Sequence, residues 1–181
     1  GMNAYLSHHF NEGVMRKRLG DSISFQGINY NETININGVK VSFHPAGHIP
    51  GSAQIRLEHN GDIWVVTGDY KCNDDGLSTP FEPIKCRVFY TESTFALPVF
   101  HWEPQARVFQ EIHDYWNQCQ SSGEHLILTA YSLGKAQRLL NNFDHNYDMN
   151  NYDIHQHVEG HSDGTIKVRL SDYLIIQQEE K

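Results

Sequence analysis

Three short segments combine ligand-type side chains with small, turn-forming neighbours. They are His44-Pro45-Ala46-Gly47-His48 running into Gly51-Ser52-Ala53, then Thr67-Gly68-Asp69-Tyr70, then Thr91-Glu92-Ser93-Thr94. A neutral imidazole and a carboxylate suit zinc or manganese, and a carboxylate can bridge two ions. A two-ion site is matched to phosphodiester hydrolysis, because it lowers the pKa of a bound water and stabilises both attacking and leaving oxygens. The flanking glycines let the backbone turn sharply, so His48 and Asp69 can face one site. Twelve histidines in 181 residues point the same way. Each segment also has a blander reading. His48 can be a buried imidazole bonded to a carbonyl, Asp69 an Asx turn, and Glu92 an exposed strand-end carboxylate. His44 is read as structural.

Strand ends are where α/β proteins place reactive groups, and each segment follows a strand-like run. Residues 11–19 predict a short helix with Asn11 as N-cap, Val14 and Leu19 as its apolar stripe, and Arg16, Lys17 and Arg18 toward solvent. From residue 22 the pattern alternates: Ile23 and Phe25, then Ile34 and Ile36, then Val39, Val41 and Phe43 beyond Asn37-Gly38. Ile55 and Leu57 alternate before Asn60-Gly61, and Ile63-Trp64-Val65-Val66 predicts a buried strand. Asn-Gly between alternating runs is the strongest short hairpin signal, and it occurs twice. Val88-Phe89-Tyr90 is a further strand-like run. Helices are expected over 103–120 and 133–141, the second capped by Ser132, with a short buried strand Leu126-Ile127-Leu128 between them. Lys135 and Arg138, in the first turns of that second helix beside Gly134, form a candidate phosphate-binding N-terminus, with a solvated face as the plain alternative. Residues 141–164 are rich in Asn, Asp, His and Tyr and predict a long polar loop, followed by a strand-like run from Thr165 to Ile176.

Composition bounds the class. With 39% hydrophobic and 20% charged residues the chain matches an ordinary globular protein of about one domain. No apolar run approaches the roughly 20 residues of a membrane span, and no signal peptide is visible, so a cytoplasmic location is expected. Three cysteines, Cys72, Cys86 and Cys119, have no CxxC spacing and are expected to be reduced thiols. The net charge of −8 disfavours a non-specific grip on nucleic acid, although metals rather than surface charge can neutralise a phosphate.

The runs His44 to Gln54, Trp64 to Lys71, Asp74 to Pro83, Thr91 to Phe95 and Tyr131 to Leu140, in that order and spacing, resemble the ligase-associated DNA exonucleases. These belong to the β-CASP branch of the metallo-β-lactamase superfamily, related to RNA 3′-end processing nucleases. The similarity covers about residues 4–142. It implies an α/β fold, a partial metallo-β-lactamase αββα sandwich. It also implies that His48 is a metal ligand, that Asp69 bridges two metals, and that Glu92 is the acidic residue that orients the site. Zinc or manganese is the implied cofactor, and a metal-bound hydroxide attacking phosphorus the implied chemistry. The implied partners are nucleic acid, DNA before RNA, and a DNA ligase and helicase.

The chain departs from the family pattern. The His-x-His-x-Asp-His cluster that supplies most of the ligands is expected upstream of Tyr5 and does not occur in this sequence. A firm zinc site needs three or four protein ligands. Residues 1–142 are therefore read as a partial metallo-β-lactamase-like domain running into the start of a β-CASP region, and 143–181 as a divergent polar, His-rich tail with a terminal strand. His155, His157 and His161 in that tail are read as a polar loop, with a metal-binding role as the alternative. Two functional readings compete: a metal-dependent phosphodiester hydrolase of DNA-exonuclease type, or a non-catalytic remnant acting through protein contacts. A lactam or thioester hydrolase of the same fold is disfavoured by Thr91-Glu92-Ser93-Thr94. An incomplete sandwich exposes apolar surface, so a homo-oligomer is expected.

Overall fold

The computed structural model describes Met2 and residues 4–124, 126–131, 133–142, 158–160, 166–170 and 174–177. Ser132, His155, His157 and His161 lie outside the described residues. The chain divides into two compact units, residues 1–97 and 98–181. Both mix helix and sheet, so the fold class is α/β. Among the described residues no helix is long and apolar enough to cross a membrane.

In the first unit β1 (Ala4–His8) pairs in parallel with β2 (Ser24–Ile28), and α1 (Glu12–Leu19) lies between them in sequence. A five-stranded sheet follows in chain order: β3 (Thr33–Ile36), β4 (Val39–Pro45), β5 (Ala53–His59), β6 (Asp62–Val66) and β7 (Val88–Tyr90). Both Asn-Gly pairs turn hairpins, with positive φ at Asn37 and Gly38 and at Asn60 and Gly61. That combination defines the type I′ turn, whose twist matches the flanking strands.

The sheet explains why the three segments meet. Strands β4 and β6 are each antiparallel to β5, and β7 is parallel to β6. All three therefore run the same way, and His48, Asp69 and Glu92 leave the sheet at one end. The long link from Thr67 to Arg87 exists because a parallel partner cannot be reached by a tight turn.

Three expectations are corrected. Ile63 to Val66 is not uniformly buried: Val65 is fully enclosed, whereas Trp64 and Val66 are about two-fifths exposed. In register, Ile55, Val66 and Tyr90 share a face that stays open to solvent, and hydrophobicity alone cannot say which face is covered. Helix α1 buries no residue, and Leu19 is exposed. Asn11 stands at its N-cap position, but its side chain makes no capping bond.

In the second unit α2 (Gln105–Ser122) precedes β8 (Leu126–Thr129), and α3 (Lys135–Asn142) follows it. Cys119 and Leu126 form its buried centre, with Ile112, Trp116, Leu139 and Leu140 packed around them. Strand β8 belongs to a separate sheet, in the order β8, β11 (Leu174–Gln177), β10 (Ile166–Leu170), β9 (Val158–Gly160). It pairs in parallel with β11 and does not extend the five-stranded sheet of the first unit.

Candidate metal centre

Strand β4 presents two histidines with opposite fates. The His44 ring is used up on both sides, with Nδ1 3.1 Å from Glu82 Oε1 and Nε2 3.2 Å from Ser42 Oγ. It is structural, as the sequence implied. His48 lies just beyond the strand. Pro45 ends the ladder, and buried Ala46 fixes the exit: its N–H donates to Ser52 O at 3.2 Å, and its carbonyl accepts from Lys71 N at 2.9 Å. Gly47 then turns at φ +71°, where a Cβ would stand 2.2 Å from Lys71 O. Only glycine fits there. The turn closes on Ser52 Oγ, which accepts from His48 N at 3.1 Å and from Ile49 N at 3.2 Å. Fully buried Gln54 ties the base of this loop down by donating to Pro45 O and Glu82 O.

Asp69 is held from both sides. Thr67, fully buried, donates its N–H to Tyr90 O at 3.0 Å. On the other side Lys71 is bonded to Ala46 O and pairs with buried Asp75. Burial alone would raise the Asp75 pKa. The Lys71 ammonium and the Ser78 and Leu77 N–H groups outweigh it, so the carboxyl is held below its usual range. Asp75 therefore stays an anion that pins the chain after Asp69.

These ties bring His48 Nε2 to 3.9 Å from Asp69 Oδ2, with both side chains well exposed. An exposed pair at that distance contributes little to stability. It is better placed for coordination. Two donors about 2.1 Å from one tetrahedral zinc ion lie about 3.4 Å apart, so a shift of a few tenths of an ångström would let both reach one ion. The donor set fits a divalent cation in kind. In number it falls short: among the described residues no group of three or more His, Cys, Asp or Glu side chains is placed to hold a metal.

Glu92 emerges at the same end of the sheet but bonds its own turn, accepting from Thr94 N at 2.7 Å. Its neighbour Thr91 places Oγ1 3.3 Å from the Tyr70 hydroxyl, next to Asp69. Lys135 and Arg138 belong to the second unit. Lys135 Nζ lies 4.8 Å over the Tyr131 ring, and Arg138 Nη2 donates to Gln105 Oε1 at 2.9 Å. The Gly134 N–H beside them donates to Gln137 Oε1.

No protein-family model matches the chain. Individual relatives do. The chain is 36% identical over 102 residues to a probable DNA ligase of Opitutus terrae, covering 55% of this chain and 10% of that protein. It is 30% identical over 120 residues to RNase aCSPSF2 of Saccharolobus solfataricus, covering 65% and 24%. It is 28% identical over 115 residues to endoribonuclease YSH1 of Saccharomyces cerevisiae, covering 62% and 14%. These similarities fit the resemblance to the β-CASP branch of the metallo-β-lactamase superfamily. The chain spans at most a quarter of the length of these three relatives.

Sequence reasoning missed most of the residues that hold His48 and Asp69 in place. Asn11 sits before a helix and imitates a cap, while its side chain reaches 40 residues away to donate to Gly51 O at 3.0 Å. Tyr30 donates to Ser52 O at 2.8 Å. Neither has a local signal. Lys71 and Asp75 had one: opposite charges four apart in a Gly-rich loop, of which one must be buried if the loop is to hold its shape.

Proposed function

We propose that this chain contributes part of the active site of a divalent-metal-dependent phosphodiester hydrolase acting on nucleic acid. The observation that carries this reading is the approach of His48 Nε2 to within 3.9 Å of Asp69 Oδ2, from two strands that leave the sheet at one end. His48 and Asp69 would hold the metal, zinc or manganese. A bound divalent ion supplies Lewis acidity toward the phosphate and lowers the pKa of water. The residues of this chain do the rest. His48 would offer a ring nitrogen, and Asp69 a carboxylate, to the ion. The rigid ties through Ala46, Lys71 and Thr67 keep both donors aimed before substrate arrives. Glu92 orients the site from one step away, through the turn that carries Thr91 against Tyr70. Lys135 and Arg138 are proposed to meet phosphate oxygens of the substrate strand.

DNA is the proposed substrate, cut from an end. The similarity to a probable DNA ligase, 36%, exceeds that to the two ribonucleases, at 30% and 28%. The alternative is a non-catalytic role through protein contacts, favoured by the gathering of two donors rather than three or four among the described residues. Metal analysis of the full chain, together with digestion of matched single-stranded DNA and RNA in Mn²⁺ or Zn²⁺, decides between them. The hydrolase reading expects bound metal and loss of DNA digestion in Asp69→Ala. Absence of both metal and digestion leaves the non-catalytic role.

A further inference from the structure

The loop that carries His48 is gripped from outside by two side chains of the N-terminal segment. Their grip falls on consecutive carbonyls. Asn11 Nδ2 donates to Gly51 O at 3.0 Å and to Ser7 Oγ at 2.9 Å, so both its amide hydrogens are engaged. Gly51, at φ +81°, has no room for a Cβ, which would stand 2.3 Å from Asn11 Oδ1. The Tyr30 hydroxyl donates to Ser52 O at 2.8 Å. Its ring stacks on buried His8 with centroids 3.9 Å apart, and Asn31 N–H bonds Phe43 O, anchoring this segment beside β4. Ser52 is also the residue whose hydroxyl collects the His48 and Ile49 amides.

We propose that Asn11 and Tyr30 are positioning residues for His48, setting the direction of its imidazole through the Gly51 and Ser52 carbonyls and the Ser52 hydroxyl. The functional meaning of that direction rests on the metal-centre reading above. The fold itself has little need of the Tyr30 bonds: Ser52 O already accepts from Ala46 N, and Thr79, the phenol's other side-chain partner, is exposed to water. What the second bond adds is orientation. A Ser52 carbonyl held by one donor can swing about it, whereas one held by two cannot, and the Cα that carries the hydroxyl is held with it. Asn11 differs in degree, because Gly51 is buried and its carbonyl would lose its side-chain donor. Tyr30→Phe is therefore the cleaner probe, since it keeps the ring on His8 and removes one oxygen.

The test uses the full chain and NMR, with two readouts. The first is amide hydrogen exchange at His48 and Ile49, with the Val65 amide at the buried centre of β6 as internal reference. The second is broadening of the His48 ring resonances by Mn²⁺ alone. In Tyr30→Phe, exchange at His48 and Ile49 is expected to rise while Val65 holds. The Mn²⁺ concentration for half-broadening is expected to rise about tenfold, as for other residues that orient a metal ligand. Ser52→Ala should reproduce both effects, and Ser52→Thr should restore them. Unchanged exchange at His48 and Ile49, or a rise shared equally by Val65, overturns the proposal. If exchange rises locally but Mn²⁺ broadens His48 in neither protein, the positioning stands and the metal-centre reading fails.

Discussion

The chain leaves its five-stranded sheet at Pro45 and again at Tyr90, and the two exits are built differently. After Pro45 the loop is bonded to three remote segments, through Asn11, Tyr30 and Lys71. After Tyr90 it closes mainly on itself, with Glu92 capping Thr94 and Thr91 Oγ1 2.9 Å from the Glu92 carbonyl. A side chain that must meet another donor on one ion needs its backbone fixed to the framework from several directions. A carboxylate that acts from a step away tolerates local support. The number of long-range ties separates the two exits, although both segments are short.

Breaking the first exit should cost most. Gly47→Ala puts a methyl against the Lys71 carbonyl at a positive φ, and both backbones must give way. A loss of about 3 kcal/mol or more is expected by denaturant melts, with loss of any Mn²⁺ response at His48. A wild-type melting curve would show that the tight approach of these loops does not matter. Asp75→Asn comes next. It keeps an acceptor for Ser78 and Leu77 but removes the charge facing Lys71, and about 2 kcal/mol should disappear.

Acid should act on the same region from the N-terminal side. His8 is buried, and burial first, then neighbouring His9, lowers its pKa below 6.5. Its Nδ1 also accepts from Phe10 N, which requires that nitrogen unprotonated. The unfolded chain therefore binds the proton more readily than the folded one. The His8 contribution is complete above pH 6.5 and is lost as pH falls through the lower folded value. Asp75, also depressed, adds a second loss only below its ordinary value of 3.8. Melting temperature should fall between pH 6.5 and 5, and His8→Gln should flatten that slope. The smallest effect is expected at the second exit. In Glu92→Gln the amide oxygen can still accept from Thr94 N, so the melting temperature should move by less than about 2 °C. A large drop there would erase the distinction between the two exits.

Local rules made part of this legible. The hairpins at Asn37-Gly38 and Asn60-Gly61 follow from the left-handed preference of two adjacent residues, and both form where expected. The family resemblance told His44 and His48 apart, and the structure shows why in one case: the His44 ring has no nitrogen to spare. Strand β1 was not legible, because its pairing partner begins 20 residues away at Ser24. Nor were the exposed faces of Trp64 and Val66, since alternation reveals a face and not its covering. Asn11 was misread for a related reason: a side chain before a helix has a plausible local job, and only folding reveals the distant one.

The parallel seam between β6 and β7 carries a kinetic consequence. Strands β3 to β6 are joined in sequence by short antiparallel links and can zip from neighbour to neighbour, whereas β7 must await return of the whole Thr67–Arg87 crossover. Contacts of that sequence separation form slowly, because the loop closes before it is rewarded. The exit bearing His48 should thus assemble early in refolding and the exit bearing Glu92 late. Substitutions in the Asn-Gly turns would then slow refolding, while substitutions at Tyr90 would chiefly hasten unfolding.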